Sequence, residues 1–232
     1  MDNLTLKLKI QQRLNKLASF DYDNIQNWQI VEAFNKATVD WCRRQLHGTN
    51  LTKTGDEQSK RRIDDLQILL KTATPIASKK DLYYTINIPD DYFEYKRVSF
   101  KATTECCEAN DFVVYLVEEE NVDIYLRDPL KNPNFKWRET FCTLLGNTVK
   151  IFTKNNFDIS DVLFTYYKQP RRIEFAGTSN PYTGLVSAAD VESEFKDDIV
   201  EVLIDECVKI LAADIENYNR NQLADQSVES NN

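Results

Sequence analysis

LYYTINIPDDYFEYKRVSFKAT, residues 82–103, decides how the chain is read. Its first half alternates Leu82, Tyr84, Ile86 and Ile88 with Tyr83, Thr85 and Asn87, the period of two that gives a strand one buried and one exposed face. Pro89, Asp90 and Asp91 break the run, since proline lacks an amide donor and aspartate favours turns, and YKRVSFKAT resumes the strand pattern. Two such runs joined by so short a turn predict a half-buried antiparallel pair, and with it a central sheet.

More strands follow. DFVVYLV (111–117) reads as a third strand, KWRETFCTLL and TVKIFT as a hairpin closed by Gly146 and Asn147, and DVLFTYYKQ (161–169) as the last. Between the third strand and the hairpin, EEENVDIYLRDP reads as a short helix with acidic residues near its start, ended by Pro129. In YYKQPRRIEF (166–175), Pro170 removes a ladder donor where the strand must end, so the stretch is a sheet exit that releases Arg171 and Arg172 as exposed charges.

Helical periods flank the sheet. Leu6, Ile10, Leu14 and Leu17 recur at helical spacing, although Leu4, Leu6, Leu8 and Ile10 also alternate. Asp23 or Asn24 caps a helix with Trp28, Val31, Phe34, Thr38, Trp41 and Gln45 on one stripe, stopped by Gly48. Thr54 and Glu57 have capping-box spacing before a helix that turns Ile63, Leu66, Leu69 and Leu70 inward and Lys60, Arg61 and Arg62 outward. After a Gly- and Pro-interrupted loop, FAGTSNPYTGLVSAAD, a long helix carries Phe195, Ile199, Val202, Leu203, Cys207, Ile210 and Leu211 on one face and acidic residues on the other. LADQSVESNN lacks the apolar content to fold alone and is expected to be mobile in a free subunit and to dock on a neighbour.

The expected architecture is therefore α+β. A helical core of N-terminal helices (1–80) and a long C-terminal helix (193–221) carries a central antiparallel sheet (81–173) as an elaboration, with a loop at 174–192 and a tail at 222–232. With 232 residues, 42% of them apolar, the chain can bury a core without disulfides. Five scattered cysteines without CxxC spacing, no long apolar run and no secretory h-region predict a soluble protein of a reducing compartment.

Charge divides along the chain. Residues 1–80 hold 14 basic and 9 acidic side chains, residues 81–173 hold 12 and 15, and residues 174–232 hold 3 and 13. A basic start and an acidic end suit either head-to-tail contacts between copies or pairing of the two ends within one chain, and the net charge of −8 disfavours a general nucleic-acid binder. The charges expected at subunit interfaces are Lys60, Arg61, Arg62, Arg171 and Arg172 against Asp197, Asp198, Glu201 and Asp205. An acidic helix, in the same subunit or a neighbour, is the expected partner of Arg171 and Arg172.

Chemistry that would mark an enzyme is missing from the sequence. The one histidine, His47, stands at a helix end, and no nucleophile elbow or phosphate-binding glycine loop occurs. Cys106 and Cys107 with His47 do not make a zinc quartet. Asp21 and Asp23 begin a calcium-loop pattern, but Gln26 stands where its glycine is required, so they read as turn and cap residues. No catalytic residue, metal or cofactor is expected.

In their order, IVEAFNKATVDWCRRQL, INIPDDYFEYKRVSF, VLFTYYKQPRRIEF and FKDDIVEVLIDECVKILAADIENYNRNQ resemble the head-to-tail connector proteins of tailed bacteriophages, the adaptor or ring proteins beneath the portal, and most closely those of crAss-like phages. The resemblance implies a non-enzymatic virion protein in a closed homo-oligomeric ring, a dodecamer by family analogy. That ring contacts the portal protein and neighbouring tail rings, passes the genome through its lumen and meets no membrane. The alternative expectation is a nucleic-acid-binding packaging accessory using Lys60, Arg61, Arg62, Arg171 and Arg172.

Overall fold

The computed structural model describes residues 1–17, 25–47, 64–104 and 107–214. The chain divides into two compact units, Met1–Ile68 with Pro170–Asn232, and Leu69–Gln169. Residues 69–80, read from the sequence as the end of a helical block, thus belong to the sheet-bearing unit.

In the first unit, helices α1 (Asn3–Leu17) and α2 (Asn27–His47) each pack against α4 (Asp197–Asp214). On α1 the helical period prevails over the strand-like one: Leu6, Ile10 and Leu14 are buried while Leu4 and Leu8 face solvent. On α2, Phe34, Thr38 and Trp41 are buried as the spacing predicts, joined by Ile30, Ala33, Asn35, Ala37 and Cys42, whereas Trp28 and Val31 are only half-buried. The buried stripe of α4 is two residues wide, with Ile199 and Val200, Leu203 and Ile204, Cys207 and Val208, and Leu211 and Ala212; this leaves Val202 and Ile210 at its margins. Trp41 meets Phe195 edge-on, their ring centroids 5.6 Å apart.

Among its described residues the second unit holds nine strands in two sheets. One sheet has the order β1 (Leu70–Ala73), β9 (Asp158–Lys168), β4 (Tyr92–Thr104), β5 (Cys107–Asp111). The other has the order β2 (Ser78–Lys79), β3 (Tyr83–Asn87), β8 (Thr148–Phe152), β7 (Glu139–Leu145), β6 (Val113–Leu116). Their inner faces share one core, in which Ile86, Val149, Ile151 and Cys142 of one sheet meet Val98, Phe100, Phe164 and Tyr166 of the other. Helix α3 (Val122–Arg127) covers the outer face of the second sheet through Tyr125 against Phe141, which is why Thr140 to Thr143 are all buried rather than alternating.

The expected architecture is overturned on four points. The chain is α+β but mostly sheet, with two sheets where one elaboration was expected. No long C-terminal helix forms a core: among the described residues α4 starts at Asp197 and covers 18 residues. The predicted pair at 82–103 does not form. β3 pairs with β2 and β8, and β4 pairs with β9 and β5, so Asp90 and Asp91 carry the chain from one sheet to the other. The fourth point is that pairing is not uniformly antiparallel, because DFVVYLV also changes sheets, about Phe112: β5 runs antiparallel to β4, and β6 runs parallel to β7.

Local chemistry explains these departures. Leu70, expected on the inner face of a helix, opens β1 and is exposed, since the chain tightens into a 3-10 turn at Gln67–Leu69 before the strand. The hairpin of β7 and β8 forms as the sequence predicts. Leu145 faces Thr148 across Gly146, whose φ of 58° is the first central position of a type II′ turn.

Candidate functional site

The predicted interface charges separate into those spent inside the first unit and those left at its surface. Arg13 of α1 donates to the carboxylates of both Glu201 and Asp205 on α4 and, at 3.0 Å, to the Glu201 carbonyl oxygen, while Lys9 donates to the Glu201 carboxylate. Burial pushes the Asp205 carboxyl above its usual range despite the nearby Arg13. The Met1 ammonium lies 2.7 Å from the exposed Asp197 carboxylate, and Asp198 is exposed in the first turn of α4. One more pair, absent from the predicted set, ties α2 to α4: Arg44 donates to Glu206, whose side chain is 8% exposed.

Among the described residues, part of the basic start and part of the acidic end of the chain therefore pair within one subunit. The acidic side chains of α4 that face α1 have local partners.

Arg171 and Arg172 leave β9 after Pro170, as the sheet-exit reading requires. Within one subunit, the side-chain partner of Arg172 is on α2 rather than on the acidic α4. The Arg171 amide donates to the Glu194 carboxylate at 2.8 Å, and the exposed Arg172 guanidinium donates to Glu32 of α2 at 2.9 Å. Next to them, Asn35 holds Ile173 through both backbone groups: its Oδ1 accepts the Ile173 amide at 2.8 Å and its Nδ2 donates to the Ile173 carbonyl at 3.2 Å. Lys60, Arg61 and Arg62, the caps assigned to Asp23 and Asn24, the stop at Gly48, the Thr54 capping box and the tail at 222–232 lie outside the described residues.

What the charge pattern does not reveal is apolar. Residues 174–191 form a finger. Bridges join Glu174 to Val191 and Ser179 to Val186, and backbone hydrogen bonds run from the Gly177 amide to the Ser187 carbonyl and from the Asn180 amide to the Leu185 carbonyl. Asn180 Oδ1 accepts the Tyr182 amide at 2.9 Å and tightens the tip, and Gly184 turns it with a φ of 69° that other residues rarely adopt. Tyr182 is 77% exposed and meets Trp28 in a T-shaped contact with ring centroids 6.1 Å apart, while Leu185 and Val186 stand exposed beside it. A signal for this finger existed in the sequence: residues 175–189 are its longest uncharged run.

The second unit has an apolar surface of its own. The strap from β1 to β2 joins the edge of one sheet to the edge of the other, and similar clasps fasten both ends. At the first, Asp91 accepts from Lys71 at 2.7 Å and from the Tyr166 hydroxyl at 2.6 Å; at the second, Asp158 accepts from Lys79 at 2.5 Å and from the Tyr84 hydroxyl at 2.6 Å. The lysine hydrogen bonds, then the tyrosine ones, hold both carboxyls below the usual range, while burial, then the aspartates, push both phenols up. Neutral, clasped phenols of this kind fasten strands rather than supply a nucleophile or base. Between the clasps, Thr74–Ala77 and Ile159–Leu163 line a groove of about 400 Å³ with Ile76 at its rim, 90% exposed.

Among the described residues, no group of three or more His, Cys, Asp or Glu side chains is placed to hold a metal ion, and no helix is long and apolar enough to cross a membrane. Cys42 and Cys142 are buried thiols pushed up to about 12 and about 11 by desolvation, and the buried Cys207 thiol is raised by the same cause. All three lack the exposed, electropositive setting of a reactive thiol. No protein-family model matches the chain, and no curated protein is significantly similar to it in sequence.

Proposed function

We propose that this chain is a structural ring protein of a tailed-phage connector, joining the capsid portal to the tail and letting the genome pass through its lumen. The observation that carries the reading is that each unit presents large apolar side chains to solvent at a different kind of surface, Tyr182, Leu185 and Val186 on a finger in one and Ile76 at a groove in the other. Organised apolar surface left exposed on a monomer marks a protein contact, and two unlike surfaces on one subunit are what a head-to-tail ring requires. The sequence resemblance to phage connectors supports the same role, and an acidic net charge suits a channel that DNA slides through. In this reading apolar burial supplies most of the affinity between subunits, since exposed ion pairs contribute only about 0–1 kcal/mol each.

The packaging-accessory reading has less support. Of its basic residues that are described, Arg172 is paired with Glu32.

Electron microscopy of the purified chain and of virions tests the proposal. Closed symmetric rings, located between portal and tail in the particle, are the expected result. A chain that stays monomeric and is missing from virions overturns it.

A further inference from the structure

We infer that the finger at residues 174–191 of one subunit docks in the groove between Thr74–Ala77 and Ile159–Leu163 of a second copy of this chain. The inference rests on the ring reading and names the contact that would propagate the ring.

The finger is built to bind. Its backbone is cross-bonded along its length and its tip is fixed by Asn180, so little conformational entropy remains to be lost on docking. Its exposed tip is Pro181, Tyr182, Leu185 and Val186, without a charge from Phe175 to Ala189. Nucleic acid is a poor occupant for it, because no lysine or arginine lies between Ile173 and Phe195 while Glu174, Asp190, Glu192 and Glu194 surround its base.

The groove is its match in chemistry. Ile76, Ala77, Ile159 and Leu163 supply the apolar part of its lining, beside Thr74, Ser160 and Asp161, and the charged groups at it already have partners, Asp161 with Lys101 at 3.7 Å and Asp158 with Lys79. A neutral tip entering a charge-satisfied groove strands no ion, whereas a charged tip would. At about 400 Å³ the groove has room for large side chains of the tip.

Area also favours a second copy in a closed ring over an isolated pair. The exposed faces of Tyr182, Leu185 and Val186 sum to roughly 300–400 Å², about half of the ~800 Å² that each partner contributes to a standard stable interface. A contact of that size is weak once and strong when every subunit gives one finger and receives another, because ring closure makes the last contact intramolecular.

Disulfide trapping in the full chain, with Cys106 and Cys107 replaced by serine, tests the contact. One preparation carries Tyr182→Cys and another Ile76→Cys; they are mixed and oxidised. The expected product is a covalent heterodimer in excess over either homodimer, together with a tenfold or larger rise in the concentration needed for assembly in the exposed-site variants Tyr182→Ser/Leu185→Ser and Ile76→Glu at unchanged Tm. If wild-type rings form but the heterodimer does not, or if the variants assemble like wild type, the finger contact is overturned and the ring reading stands. An internal cross-link in a chain carrying both cysteines, without intermolecular product, assigns the finger to its own groove and overturns the inference. A wild-type chain that neither assembles nor cross-links overturns both.

Discussion

The two units use charge in opposite ways. In the helical unit, ion pairs join whole helices: Arg13 and Lys9 of α1 and Arg44 of α2 reach carboxylates of α4, and Glu206 and Asp205 are largely withdrawn from water to meet them. In the sheet unit, the clasping lysines and aspartates stay at the surface, while aromatic rings fill the interior; Phe100, Phe112 and Phe157 stack in one cluster and Tyr92, Phe164 and Tyr166 in another. A helix presents its charges in a stripe beside its apolar face, so three packed helices bring stripes together at their seams. A sheet sends alternate side chains to opposite faces, so its charges stay outside and its core is free of them.

Removing an aromatic from the sheet core is expected to have the largest effect. Phe164→Ala should cost about 3–5 kcal/mol, seen as a lower urea midpoint, because a side chain wholly excluded from water is replaced by a cavity. A cost below about 1 kcal/mol would show that the aromatic cluster does not hold the two sheets together.

In the helical unit the corresponding break is electrostatic. Arg44→Ala leaves the Glu206 carboxylate buried without its partner and should cost about 2–4 kcal/mol, whereas Arg44→Met with Glu206→Leu should lie within about 1 kcal/mol of wild type. If the single and double variants are equally destabilised in denaturant melts, packing rather than charge explains the contact. Asn35→Ala should follow at about 1–3 kcal/mol, since it strands both the amide and the carbonyl of the buried Ile173; faster hydrogen exchange at Ile173 would report the loss.

Acid gives the smallest effect and the sharpest contrast. The Asp91 and Asp158 carboxyls are held below an ordinary value of about 4, so the stability they contribute is fully present above that value and is lost as the pH falls through their lower folded values. Asp205 is raised instead. Its contribution is fully present below its unfolded value and is lost as the pH rises through the folded one. Acidification below about pH 4 should therefore weaken the sheet unit and spare the Asp205 site. Asp91→Asn, worth no more than about 1 kcal/mol for so exposed a pair, should flatten the acid side of the stability curve, and Asp205→Asn should flatten the slope near and above the usual carboxylate range. Equal pH profiles for wild type and Asp91→Asn would remove the clasp from the account.

Much of the local structure was legible because its causes are local. Gly146 names its own turn, Pro170 ends β9 where a ladder donor is missing, and the period of Leu6, Ile10 and Leu14 marks a helix face. Apart from Leu70, read as helical, and the extent of the C-terminal helix, the misreadings concern pairing. Alternation at 82–88 correctly buries Tyr84, Ile86 and Ile88, yet says nothing about which strand lies beside them, and a turn of Asp90 and Asp91 serves a crossing between sheets as well as a hairpin. The candidate site was hidden for a related reason. Charges draw attention in a sequence, but Lys9 and Arg13 of α1 are paired with Glu201 and Asp205 of α4, and the exposed surface of the finger is a neutral run that reads as an ordinary loop.

The sequence by itself determined the elements that depend on neighbours a few residues away: the Phe34–Thr38–Trp41 face of α2, the β7–β8 hairpin, the exit at Pro170, and the separation of basic from acidic ends. Only the tertiary structure decided that nine strands divide into two sheets, that β5 and β6 lie in different sheets about Phe112, that Arg172 meets Glu32, and that Tyr182 and Ile76 remain in solvent. The physical reason is range. Periodicity, turns and caps are set by steric and hydrogen-bond preferences within a turn or two of the chain, whereas strand partners, ion pairs and exposure depend on which distant segments exclude water together, and one sequence pattern is compatible with several such arrangements.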